Sequence, residues 1–160
     1  MNEEPPSRGL DSGEQSECRK KAIRMLARRE YSVYELSLKL RKKGVEAQVC
    51  DAVLAALVSE NLLSDRRYAE SYLSAKIYKG YGPTRIRLEL EQNGVHRATI
   101  DDVFAEAQVE WQEQLRQQHL KKYGDSEPAN YKEWVKRARY FNNRGFSSEL
   151  IQSVLEFSSN

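Results

Sequence analysis

Few residues in this chain could do covalent chemistry, and their spacing argues against most of it. The histidines are His96 and His119. His96 follows Gly94-Val95, where a helix should stop, and His119 lies in a polar helical stretch. Neither has a cysteine or a carboxylate pair at ligand spacing, so a metal site is not expected. Cys18 and Cys50 stand alone in the sequence, which suits a reducing, cytoplasmic setting. Asp101-Asp102 could imitate an acidic metal pair. Adjacent residues on a helix point apart, however, and an acidic first turn facing the helix dipole explains them. There is no glycine-rich phosphate loop, no nucleophile elbow and no strand to carry one. The expectation is a protein without catalysis, metal or cofactor.

Binding chemistry is better represented. The stretch Lys76-Ile-Tyr-Lys-Gly-Tyr-Gly-Pro-Thr-Arg-Ile-Arg87 alternates basic residues with tyrosines around a two-glycine corner. Such a corner, followed by a helix start at Pro83, can offer N–H groups and cations to an anion. Lys76, Lys79, Arg85 and Arg87 are the candidate cations. Tyr78 and Tyr81 fit the packing between helices, and Tyr81 could also stack on a base. A second basic run spans 19–29, where Arg24 and Arg28 share one helix side. A solvated face and contact with a polyanion are equally good readings of it. Arg66 and Arg67 read first as partners of Asp65 and Glu70, and second as further candidates. Trp111 and Trp134 fit a core.

The elements that must position these residues are helices. Gly44, Gly94 and Gly145 recur at intervals of fifty and fifty-one residues, each with an apolar residue four before and another just after. That is the sequence form of a left-handed helix stop in which the following apolar side chain folds back onto the last turn. The predicted contacts are Val45 on Leu40, Val95 on Leu90 and Phe146 on Phe141. Downstream, Cys50, Ile100 and Ile151, then Val53, Val103 and Val154, then Leu54, Phe104 and Leu155 occupy matching columns. Their offsets fit one face of a following helix. The fold class expected is all-α: three tandem three-helix, helix–turn–helix-like repeats forming an elongated, curved array. The expected boundaries are a disordered acidic tail at 1–15, repeat 1 at 16–63, repeat 2 at 64–109 and repeat 3 at 110–160. The first helix should cover about 17–30, and Ser32 to Glu35 form a capping box opening the second.

Charge is unevenly spread along the 160 residues, although the net is only +2. Residues 1–17 are net −4, residues 18–44 hold ten bases and two acids, and residues 98–113 hold five acids and no base. A basic field of that size favours a polyanionic partner. No apolar run approaches the roughly 20 residues that span a bilayer, so no membrane partner is expected.

Asp65-Arg-Arg-Tyr-Ala-Glu-Ser-Tyr72, followed by Lys79-Gly-Tyr-Gly-Pro-Thr-Arg-Ile-Arg-Leu-Glu-Leu90 and Gly94, closely resembles the central signature of the RecX family, bacterial regulators of the recombinase RecA. Ala27-Arg-Arg-Glu-Tyr-Ser-Val-Tyr-Glu-Leu36 with Leu38 to Gly44 resembles the family's first repeat. Tyr123-Gly124 and Arg144-Gly-Phe-Ser147 resemble its third. The likeness spans nearly all of 18–157. It implies three tandem three-helix repeats, in agreement with the glycine period. It also implies a non-enzymatic modulator, mainly an inhibitor, lodged in the groove of the RecA–single-stranded-DNA filament; the chain is expected to be a monomer. There it would dampen recombination, DNA repair and the SOS response. Two other readings fit the residues alone: a general nucleic-acid-binding helical repeat protein, and a helical scaffold that holds a peptide. Steep loss of affinity with salt marks the phosphate binder and not the peptide groove.

Overall fold

The computed structural model describes residues 11–157. Their helices run in order α1 (Ser12–Leu26), α2 (Val33–Lys42), α3 (Ala47–Ser59), α4 (Asp65–Tyr78), α5 (Pro83–Gln92), α6 (Arg97–Ala107), α7 (Trp111–Tyr123), α8 (Tyr131–Asn143) and α9 (Ser148–Val154). No strand occurs among the described residues. The all-α expectation and the grouping of helices in threes are both seen. The start of α1 differs from expectation. Asp11 caps it by accepting from the Gly13 amide at 3.0 Å, so residues 12–15, read from composition as tail, are helical. Composition failed there because an N-cap acts locally, whatever the apolar content. Residues 1–10 of the expected tail lie outside the described residues. At its other end α1 stops at Leu26, short of the expected residue 30.

The chain divides into two compact units, up to Tyr68 and from Ala69 onward. The first unit is built on α1, α2 and α3. Cys18 and Ala22, Leu36 and Leu40, and Val49, Cys50, Val53, Leu54 and Leu57 share one core, closed by Tyr31 and Leu63. The four-residue steps within α1, α2 and α3 put each set on one helix face. Ser32 Oγ accepts from the Glu35 amide at 3.0 Å and starts α2 as the sequence suggests. The Glu35 carboxylate holds the Arg29 guanidinium at 2.6 Å. Asp65, at the head of α4, accepts from the Val33 amide at 2.8 Å and ties that helix to the α2 start. Cys18 and Cys50 are buried free thiols. Burial pushes both up from their ordinary pKa, so neither is a ready nucleophile.

In the second unit, Leu73, Ile86, Leu90, Val95, Ile100 and Val103 are buried along α4, α5 and α6. Leu115, Phe141, Phe146, Ile151 and Leu155 form the core of α7, α8 and α9, with Trp111 and Trp134 packed against it. Gly44, Gly94 and Gly145 all have positive φ, at 90°, 81° and 101°. The amides of Val45, Val95 and Phe146 reach back to the carbonyls of Leu40, Leu90 and Phe141 at 3.1–3.2 Å, the six-to-one bond of a Schellman stop. The Phe141 and Phe146 rings meet edge to face at 6.3 Å. Two more helices end the same way without belonging to the period. Leu62 N reaches Leu57 O with Asn61 left-handed, and Tyr81 N reaches Lys76 O with Gly80 left-handed.

Candidate functional site

The corner at 79–85 is closed by another part of the chain. Gly80 and Gly82 are buried. The Gly82 amide donates to Arg144 O at 2.8 Å and the Thr84 amide to Gly145 O at 3.0 Å. The carbonyls at the end of α8 therefore occupy amides at the start of α5 that the sequence offered to an anion. The approach is so close that a Cβ on Gly82 would overlap the Gly145 carbonyl, and one on Gly145 would overlap Arg85 Cβ. Gly145 thus stops α8 and admits α5. The Arg144 guanidinium donates to Lys79 O, which fastens the joint from the other side.

Around this joint most of the candidate cations are already engaged. The Tyr81 ring lies between two guanidiniums, Arg144 at 4.0 Å and Arg85 at 4.2 Å, with Lys76 Nζ at 4.8 Å. Lys76 and Arg85 also hold the two oxygens of Glu89, at 3.2 and 3.0 Å, and the Tyr72 hydroxyl donates to the same carboxylate. Burial alone would push Glu89 up. The bonds from Tyr72, Arg85 and Lys76 outweigh it and hold the carboxyl below its ordinary range. Arg87 binds Asp101 at 2.6 Å and lies over the Phe104 ring at 4.2 Å, so one member of the acidic pair at 101–102 anchors a base. Tyr78, expected between helices, is instead 89% exposed. It is the last residue of α4, beyond the turn whose Lys76 and Ile77 carbonyls close the Gly80 stop.

Arg67 is also tied down, to Glu30 at 3.1 Å and to Asn61 Oδ1 at 2.9 Å. Arg66 is partly buried and interacts within the fold. Three candidates remain open to solvent with no ion pair among the described residues: Arg24 and Arg28 on α1, and Lys79 after α4. In the first unit Arg41, Lys42 and Lys43 are likewise exposed at the end of α2. The structure separates cations that build the fold from cations free to meet a partner.

The sequence reading passed over two features of the third repeat. Arg137 on α8 is 2% exposed. It donates to Ser126 O at 2.5 Å, to Glu133 at 2.7 Å and to His119 Nε2 at 3.1 Å, with its carbon over the Tyr123 ring at 4.4 Å. A guanidinium has only donors, so His119 must accept through Nε2 and carry its proton on Nδ1. Burial, and then the Arg137 charge, hold His119 below its ordinary pKa. This cluster clasps the loop between α7 and α8. The second feature is the outer face of α8, where Lys132, Lys136 and Arg139 are exposed. Their i, i+4, i+7 spacing was the available signal.

The fold and these engagements define an all-α protein of three tandem three-helix repeats that presents scattered free cations. Three family models match in order along the chain: the RecX first three-helix domain at residues 18–57, the second at 64–103 and the third at 108–155. The chain belongs to the RecX family. It is 42% identical over 137 residues to the regulatory protein RecX of Pseudomonas fluorescens strain Pf-5, covering 86% of this chain and 88% of that one. The regulatory protein RecX of Halorhodospira halophila is 36% identical over 145 residues, with 90% of each chain covered. Among solved structures, RecX from Lactobacillus salivarius is similar in fold, with a TM-score of 0.71 at 22% identity over 91% of this chain and 96% of that one.

Proposed function

We propose that this chain is a non-enzymatic modulator, mainly an inhibitor, of RecA. It binds the groove of the RecA–single-stranded-DNA filament and dampens recombination, DNA repair and the SOS response in the cytoplasm. The observation that carries this reading is the presence of all three RecX three-helix domains, in order, on one chain, joined to relatives called regulatory proteins. Charge supports it: Arg24, Arg28 and Lys79 are exposed and have no ion pair among the described residues, as a partner rich in phosphate requires. Lys76, Arg85, Arg87 and Arg67 act indirectly, by holding the helices that display the others.

The basic balance of residues 18–44 favours one second reading, a general binder of nucleic acid to which RecA is incidental. Hydrolysis of ATP by RecA on single-stranded DNA separates the two. Substoichiometric protein should suppress the rate at DNA concentrations well above its own. Suppression that disappears when DNA is in excess supports the general binder, and an unchanged rate at equimolar protein overturns the RecA reading.

A further inference from the structure

Among the described residues, the third repeat carries a ring ladder with an exposed end beside a row of cations that make no ion pair. Tyr131 opens α8 and is stacked on Trp134, with centroids 6.0 Å apart and planes within 11°. Trp134 is fixed in turn, because its indole N–H donates to Leu155 O at 2.8 Å and its ring packs against the third-repeat core. Phe157 meets Tyr131 edge-on at 5.8 Å. The ladder nevertheless leaves Tyr131 63% exposed. Lys132, Lys136 and Arg139 project from the same helix, exposed and without an ion pair among the described residues. The nearest carboxylate on the helix, Glu133, is committed to Arg137 at 2.7 Å and to the Ala129 amide at 2.8 Å. Its charge is felt at Lys136, but one carboxylate shared with Arg137 leaves the row of three cations in excess. Tyr131, Lys132, Val135, Lys136 and Arg139 line a groove of about 830 Å³ along α8.

We propose that this face is a base-stacking contact for single-stranded nucleic acid. An aromatic ring held rigid by its neighbours loses little freedom when a base extends the stack. From Lys132 to Arg139 the helix rises about 10 Å, and a stacked strand presents a phosphate roughly every 3.4 Å. The row therefore meets about three phosphates. An acidic protein surface would satisfy the cations and gain little from the open ring face. That difference selects nucleic acid as the occupant.

Anisotropy of a labelled oligothymidylate, with no RecA present, reads this directly in the full chain. Tyr131→Ala should weaken binding roughly tenfold, the order of one lost base stack, and Tyr131→Phe should leave it unchanged. Lys136→Glu with Arg139→Glu should weaken binding and flatten the dependence of log affinity on log salt by about 1.4, at 0.7 per lost phosphate contact. The double reversal leaves Tyr131 and Trp134 in place, so it remains informative if Tyr131→Ala fails to fold. Tight binding by Tyr131→Ala alongside weak binding by the double reversal would make this a purely electrostatic face, open equally to acidic protein, and would overturn the stacking proposal. Wild-type affinity in both variants would overturn it altogether. Neither outcome touches regulation of RecA, because RecA is absent from the assay.

Discussion

Gly44 and Gly145 share a left-handed backbone and differ in what surrounds them. Nothing lies within 4 Å of a Cβ built on Gly44, whereas one on Gly145 overlaps Arg85. Gly44→Ala should therefore cost about 1 kcal/mol, the backbone penalty alone. Gly145→Ala should cost clearly more, because the end of α8 must also move away from α5. Urea denaturation of both variants measures the difference, and equal costs would mean the joint carries no close approach. The same contrast separates two cations that look alike in sequence. Lys79→Glu should leave stability within about 0.5 kcal/mol, as for an exposed charge. Arg85→Glu removes a bridge to Glu89, uncovers the Tyr81 ring and sets two carboxylates side by side, so it should cost about 1 kcal/mol or more.

Among the elements, α8 carries the most that the sequence concealed. Its Gly145 stop was legible; its start, where Asn130 Oδ1 accepts the Glu133 amide at 2.9 Å, was not read from the sequence. Arg137 was not legible, because a burial of its charge depends on Ser126, His119 and Tyr123 arriving from a different helix and loop. Periodicity describes one helix at a time. For the same reason Gly80 was legible as a corner but not as a stop of the same kind as Gly44, since it falls outside the fifty-residue period, and the left-handed stop at Asn61 was not read at all. The engagement of Arg87 and Arg67 was equally hidden, because Asp101, Glu30 and Asn61 lie on other helices or loops; the Arg85–Glu89 pair, at i, i+4 on α5, was within reach of the sequence and was not drawn from it.

The Arg137 cluster makes the α7–α8 loop sensitive to acid. His119 is held below 6.5 in the folded chain, so the unfolded chain binds more protons as pH falls through 6.5. Stability is then fully present above that value and declines below it. Urea midpoints measured from pH 7.5 down to 5.5 should fall in the wild type and fall less in His119→Gln. A parallel decline in both would assign the slope to other groups. Arg137→Met leaves Ser126 O and His119 Nε2 without their donor, and should cost about 2 kcal/mol at neutral pH.

For the whole molecule, the repeat pattern was readable because each glycine stop is local and recurs three times, and the family models fall on the same three groups of helices. Which cations remain free for a partner was not readable, because that depends on what the fold consumes first. Among the described residues Arg24, Arg28 and Lys79 have no ion pair, and reversing all three to Glu should weaken a polyanion contact while helix content is retained. The most direct measurement is equilibrium binding of this chain to preassembled RecA filaments on single-stranded DNA, set beside naked strand and DNA-free RecA. The expected result is tighter binding to the filament than to either component, weakened by the triple reversal. Binding to the filament no tighter than to the naked strand would contradict a regulator of RecA and leave a protein that recognises nucleic acid alone.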